Sequence, residues 1–259
     1  MSNPAGDVAQ APAIEEGKFE EGSVQRTLSG SAAKIVAAIA LAFSTYQLVI
    51  AGFAPLSSLP TRSLHVGFLL ALSFTIRTAG KRAATTRVPW YDWALAVLGF
   101  AISTYHLVFE ADLIQRSGDP SVLDLVVGVI FIVLVFEAAR RVMGLALPLI
   151  CGIFLAYGLF GQYLPSAIAH RGYGFDQIVS QLFLGTEGLF GIPTLVSATY
   201  IFLFILFGSF LEHAGMIRLF NDIALGFVGR ARGGPAKVAV ISSGMMGTIS
   251  GSGIANVLT

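Results

Sequence analysis

Long apolar runs recur along the chain, separated by short polar segments, and their length limits the fold more than any other feature. A helix rises about 1.5 Å per residue, so roughly 20 apolar residues cross a hydrocarbon layer of about 30 Å. Stretches that meet or approach that length are residues 35–53, a shorter 64–76, 91–109, 122–136, 142–164 and 192–211, with a further one from 236 onward. Apolar residues make up 55% of the chain and charged ones only 12%, gathered between the runs rather than spread along amphipathic stripes. The pattern predicts an all-α polytopic transmembrane protein embedded in a lipid bilayer, with six spans and an unfinished seventh.

Lys and Arg set the orientation, because short basic loops are retained on the cytoplasmic side. Lys18, Arg26 and Lys34 precede the first run; Arg77, Lys81, Arg82 and Arg87 separate the second from the third. Arg140 and Arg141 follow the fourth, and Arg218, Arg230, Arg232 and Lys237 follow the sixth. The alternate loops hold only Arg62, Arg116 and Arg171, which predicts a cytoplasmic N-terminus. Residues 1–31, rich in Pro, Gly, Glu and Ser, read as a disordered cytosolic tail and not as a cleaved signal peptide.

A net charge of +1 supplies no concentrated basic surface, so nucleic acid is not an expected partner. The single cysteine, Cys151, has no disulfide partner, and no His/Cys spacing suits a structural metal.

The segment Ser44-Thr45-Tyr46-Gln47-Leu48-Val49 recurs as Ser103-Thr104-Tyr105-His106-Leu107-Val108, differing only where Gln47 becomes His106. At the same offset, without a gap, Lys81-Arg82 falls on Arg140-Arg141. Two hairpins of one design therefore follow one another as a four-helix unit over residues 32–141, then a connecting span at 142–164 and a differently textured part at 165–259. The Ser-Thr-Tyr clusters read first as helix–helix hydrogen bonding and second as a binding site. Asp92, Asp124, Glu137, Glu110 and Asp112 lie near span ends, where solvation is the expected role rather than a proton relay.

In residues 174–190, Phe175, Ile178, Val179, Leu182 and Phe183 recur at three- and four-residue steps, as in a helix lying in the membrane interface. Residues 216–228 repeat the pattern with Met216, Leu219, Phe220, Ile223 and Phe227. Each is either an arm bracing a larger domain or a connecting helix resting on lipid.

The chemistry concentrates after Gly233-Gly234-Pro235. An apolar segment is interrupted by Ser242-Ser243-Gly244 and again by Thr248-Ile249-Ser250-Gly251-Ser252-Gly253-Ile254-Ala255-Asn256. Glycines and hydroxyls at one level suit an unwound point or re-entrant tip whose carbonyls coordinate a small cation; they equally suit a close helix–helix contact. A serine hydrolase built on Ser252 and His213 has no nucleophile elbow and no orienting acid, so no enzyme is expected.

At Phe190-Gly191-Ile192-Pro193, Ser197-Ala198-Thr199-Tyr200, Arg232-Gly233-Gly234-Pro235-Ala236-Lys237 and residues 247–256, the chain resembles fused permeases of the tripartite ATP-independent periplasmic (TRAP) transporters, of the type served by TAXI receptors. The resemblance, over about residues 30 to 259, implies a small-subunit-like four-helix region joined by an extra helix to the start of a large transport subunit. It further implies a bacterial inner-membrane permease in which a periplasmic binding protein delivers an organic anion, a C4-dicarboxylate, related carboxylate or amino acid. Sodium would be the coupling ion, with no other cofactor, in an elevator mechanism. Ser250, Gly251, Ser252, Gly253 and Asn256 match the first-hairpin motif that would contribute a sodium site near the substrate. Large subunits of that family continue for many more spans, so the resemblance also implies a C-terminally truncated chain unable to transport alone. A docking scaffold without transport is the alternative function.

Overall fold

A computed structural model describes residues 23–53, 55–80, 85–116 and 118–250. Within them the regular structure is helical, joined by loops, with one isolated bridge between Gln25 and Arg77. The first hairpin is α1 (Gly30–Gly52) and α2 (Ser58–Ile76). The second starts with α3 (Trp90–Ser103), passes through the short α4 (Tyr105–Val108) and α5 (Glu110–Gln115), and returns along α6 (Val122–Met143). Next come α7 (Ala146–Phe160), α8 (Phe175–Val179), α9 (Ile192–Val196), α10 (Phe202–His213), α11 (Met216–Val228) and α12 (Gly234–Ser250).

Among the described residues, five helical segments are long and apolar enough to span a membrane: α1, α2, α6, Ala146–Tyr163 and Ile192–His213. The expected span at 91–109 is not one helix. Ser103 donates its hydroxyl to the Gly99 carbonyl at 2.8 Å and Thr104 to that of Ala101 at 2.7 Å. These local bonds compete with the helix ladder. The Thr104 amide is shared between the Phe100 and Ala101 carbonyls, and the helix restarts as α4. In the first copy, Ser44 bonds back to the Ala40 carbonyl at 3.1 Å and α1 runs straight on.

Helix α2 is the axis of the unit. It is the least hydropathic of the five candidate spans, with a mean hydropathy of 1.2, and most of it is buried in protein. Polar residues are tolerated there because protein, not lipid, surrounds them. It packs most closely on α3, where a Cβ on Gly67 would lie 2.5 Å from the Ser103 Cβ. Leu70, Ala71 and Phe74 from α2, Ala96 and Ile102 from α3, and Phe131, Leu134 and Ala138 from α6 form the core. Ser121 caps α6, accepting from the Asp124 amide at 3.2 Å while the Asp124 carboxylate accepts from the Ser121 amide at 2.8 Å. Gly144, at φ +82°, ends the helix.

The tail expected over residues 1–31 is seated, not free, where its last part is described. The Ser23 hydroxyl and amide both donate to the Arg141 carbonyl, the Arg26 amide donates to that of Ile76, and Ser23 and Arg26 are buried. Arg26 donates to the Phe74 and Thr75 carbonyls at 2.8 and 3.1 Å and pairs with Asp92.

Asp92 is likewise not a solvated span-end carboxylate. It is fully buried between Arg26 and Arg141, whose Nη1 lies 2.7 Å from its second oxygen. Arg141 also stacks over Phe74 at 5.0 Å and, with Arg140, holds Glu137. Asp124 is buried at the other end of the unit, bonded by Tyr105, Ser121 and Arg116. Two guanidiniums around one carboxylate satisfy its oxygens and pin α3, α6 and the incoming segment together.

Candidate functional site

The sequence places its site chemistry at the end of α12. Against the expected first interruption, α12 stays helical through Ser242, Ser243 and Gly244. A Cβ on Gly244 would meet nothing within 4 Å, so no helix of the described chain uses that glycine for close approach. Helix α12 packs along α11, and the Ser242 hydroxyl donates to the Asn221 Oδ1 at 2.5 Å. Phe220 and Ala224 are buried while Leu219, Leu225 and Phe227 remain exposed, so α11 keeps an open apolar face. Ser250 is the last residue of α12; its side chain, with Gly251, Ser252, Gly253 and Asn256, lies outside the described residues.

A second constellation, which the sequence reading did not assemble, joins the four-helix unit to the segment that follows α7. Helix α8 runs into a wider π turn at Ser180–Leu184, and α9 into another at Ser197–Ile201 before α10. Extra-residue turns of this kind re-aim side chains and carbonyls, and both here carry polar contacts to the unit. His106 Nε2 donates to the Phe183 carbonyl at 3.0 Å, with Nδ1 3.0 Å from the Ser63 hydroxyl, which itself donates to the Ser103 carbonyl. The Gln47 amide lies 2.5 Å from His65 Nδ1, and His65 Nε2 reaches the Ser197 hydroxyl at 3.1 Å. The amide can only donate from its nitrogen, which leaves the His65 proton on Nε2, facing Ser197.

Gln47 and His106 occupy the same position of the repeated segment. Each copy of the hairpin thus contributes one polar side chain to α2, through Ser63 or His65, at a seam with the later part of the chain. Arg62 completes the seam. It was expected in an outer loop, but α2 begins at Ser58 and buries it. Its guanidinium donates to the Phe190 carbonyl at 2.5 Å, to Thr186 at 3.5 Å and to the Ser58 hydroxyl at 2.7 Å.

Apolar packing surrounds these bonds. Phe183 and Phe190 are fully buried, with ring centroids 4.5 and 5.0 Å from His106 and 5.3 and 5.6 Å from Phe131. Phe43 of α1 lies 4.5 Å from Phe202 of α10. Residues 174–190 are therefore an arm wedged into the four-helix unit on their Val179, Phe183 and Phe190 side, with Phe175 left exposed. The connecting-helix-on-lipid alternative does not describe them.

Of the resemblance motifs, Phe190-Gly191-Ile192-Pro193 and Ser197-Ala198-Thr199-Tyr200 both lie at this seam: Phe190 and Ala198 are buried, and Pro193 opens α9. The Ser-Thr-Tyr clusters serve packing. Tyr46 donates to the Thr61 carbonyl at 3.3 Å and Tyr105 to Asp124. One signal could have found the seam from sequence: the repeat's single changed position holds a polar residue in both copies, inside an apolar helix.

His106→Leu should lower stability by about 0.5–1.5 kcal/mol, in line with interhelical hydrogen bonds measured inside membrane proteins. His106→Gln, which copies the first repeat, should recover most of it. Thermal melting of the three proteins in one detergent checks this; equal losses for Leu and Gln would deny the bond to Phe183.

A family model described as "Tripartite ATP-independent periplasmic transporter, DctM component" matches residues 130–259. The match begins within α6, upstream of the boundary at 165 drawn from the sequence texture, and takes in the arm, the seam-facing helices and the α11–α12 hairpin. No curated protein and no solved structure matches the chain.

Proposed function

Since the chain belongs to the DctM-component family of the tripartite ATP-independent periplasmic transporters, we propose that it forms the scaffold and first hairpin of a sodium-coupled permease importing organic anions. The observation that carries this reading is where the family match falls on the fold. It covers a helical hairpin, α11 and α12, whose second helix leads directly into the Ser250-to-Asn256 motif.

A helix C-terminus presents unsatisfied carbonyls and a partial negative charge, and an unwound stretch after it adds further carbonyls and hydroxyls. Such an end coordinates a small monovalent cation without needing a carboxylate. Ser250, Gly251, Ser252, Gly253 and Asn256 are the residues proposed to contribute to the sodium site, with the organic anion beside them. The family is one of transporters, not of enzymes.

Residues 32–141 would act as the small subunit, fused to the transport part rather than supplied separately, with the arm as the fixed joint. A bacterial inner membrane with the N-terminus in the cytoplasm fits the basic segments. The delivering partner is a periplasmic binding protein, of the TAXI type by resemblance, and the substrates are C4-dicarboxylates, related carboxylates or amino acids.

The test is uptake of radiolabelled organic acids by proteoliposomes holding the permease with its receptor, under an inward sodium gradient and under potassium. The proposal expects accumulation under sodium alone. Receptor docking without uptake in either salt would replace it with the docking-scaffold reading.

A further inference from the structure

An open apolar furrow runs between α1 and α3. Helices α1 and α3 both pack on α2 but scarcely on each other. Ala38 and Ala42 of α1 and Ala96 of α3 leave between them a cleft of about 600 Å³, walled by Phe68, Trp93 and Phe100 and almost wholly apolar. A second apolar recess of about 740 Å³ shares Ala38 and Ala42 and carries the groove on along α1 to Val49 and Leu56. The two together make one furrow following most of the length of a spanning helix.

One end of the furrow carries positive charge. Lys34 stands in the second turn of α1 beside the lining Ile35, and Arg87 lies just before α3; both are exposed. The Thr27 amide donates to the Thr85 carbonyl at 3.0 Å, which ties the segments leading into α1 and α3 together and sets both cations at the same end. Trp90 is 80% exposed at that level, as aromatic side chains are at a membrane–water boundary. The nearest carboxylate along α3, Asp92, is buried and held by Arg26 and Arg141, so it does not offset them.

We propose that this furrow binds one anionic glycerophospholipid, with an acyl chain along Ala38, Ala42 and Phe100 and its phosphate at Lys34 and Arg87. Lipid tails fill an alanine-lined furrow that side chains leave open, and paired cations at its mouth select anionic over zwitterionic headgroups. Lipid binding in this furrow does not depend on sodium-coupled transport.

Native mass spectrometry of the purified 259-residue chain, titrated with phosphatidylglycerol or phosphatidylcholine, tests it. The expected result is at least a tenfold preference for phosphatidylglycerol in the retained adduct. Lys34→Gln with Arg87→Gln, both exposed and outside the core, should bring the two lipids to parity. Ala42→Phe should remove the adduct of either lipid. Equal retention of both lipids by the native chain, or a preference unchanged in the double variant, overturns the proposal.

Discussion

Asp92→Ala lowers the stability of the purified protein by about 3–5 kcal/mol, the cost of breaking a buried ion pair by deleting one partner. The reason is geometric. Asp92 is fully buried and is the acid shared by Arg26, from the segment before α1, and Arg141, from the end of α6. Without it, Arg26 keeps its Phe74 and Thr75 carbonyls and Arg141 keeps Glu137, but two guanidiniums then face each other with no anion between them. Asp92→Asn should fall between, since the amide retains an acceptor and loses the charge. Detergent melting curves for the three proteins measure the order. An alanine variant that melts with the native protein would mean that the network does not hold this end together.

The second large effect is at Gly128. It lies on the face of α6 that receives the arm, and a Cβ there would stand 2.7 Å from Val179 Cγ1 and 3.1 Å from the Phe183 ring. Gly128→Val therefore cannot keep the arm where it is, and overpacking of this kind costs about 1–3 kcal/mol. The loss should be local. Hydrogen exchange should rise across 175–190 while the core of α2 and α3 keeps its protection. Ala at 128, smaller but still in contact, should give a partial effect. Unchanged exchange in the arm of the valine variant would mean that the arm does not depend on this seat.

Much of the fold is legible in the sequence because crossing a bilayer demands length and apolarity in one continuous piece. The runs at 35–53, 122–136 and 192–211 match α1, α6 and Ile192–His213 closely. What escapes is what depends on partners distant in sequence. The break at Thr104 cannot be read from Ser-Thr, since the same pair leaves α1 continuous; only the second copy hands its next polar residue, His106, to the Phe183 carbonyl. Arg62 reads as a loop residue because Ser57, Ser58, Thr61, Ser63 and His65 surround it, yet that polarity is the mark of a helix buried in protein instead of lipid.

Asp92 and Ser23 look solvated for the same reason: Arg141, which receives both, lies far along the chain. The expected interfacial helix at 174–190 has the right periodicity, but periodicity does not say whether its apolar face meets lipid or another helix. Here Gly128 admits it. The candidate ion motif is different in kind. Its glycine and hydroxyl pattern is plain in the sequence, α12 leads to it, and Gly251 to Asn256 lie past the described residues.

Coupling is read from radioactive sodium entry, followed in the same proteoliposomes as acid uptake. The account predicts that sodium enters the liposomes with the acid, and only when receptor and acid are both present. Acid uptake with no accompanying sodium, or sodium entry indifferent to receptor and acid, would contradict it.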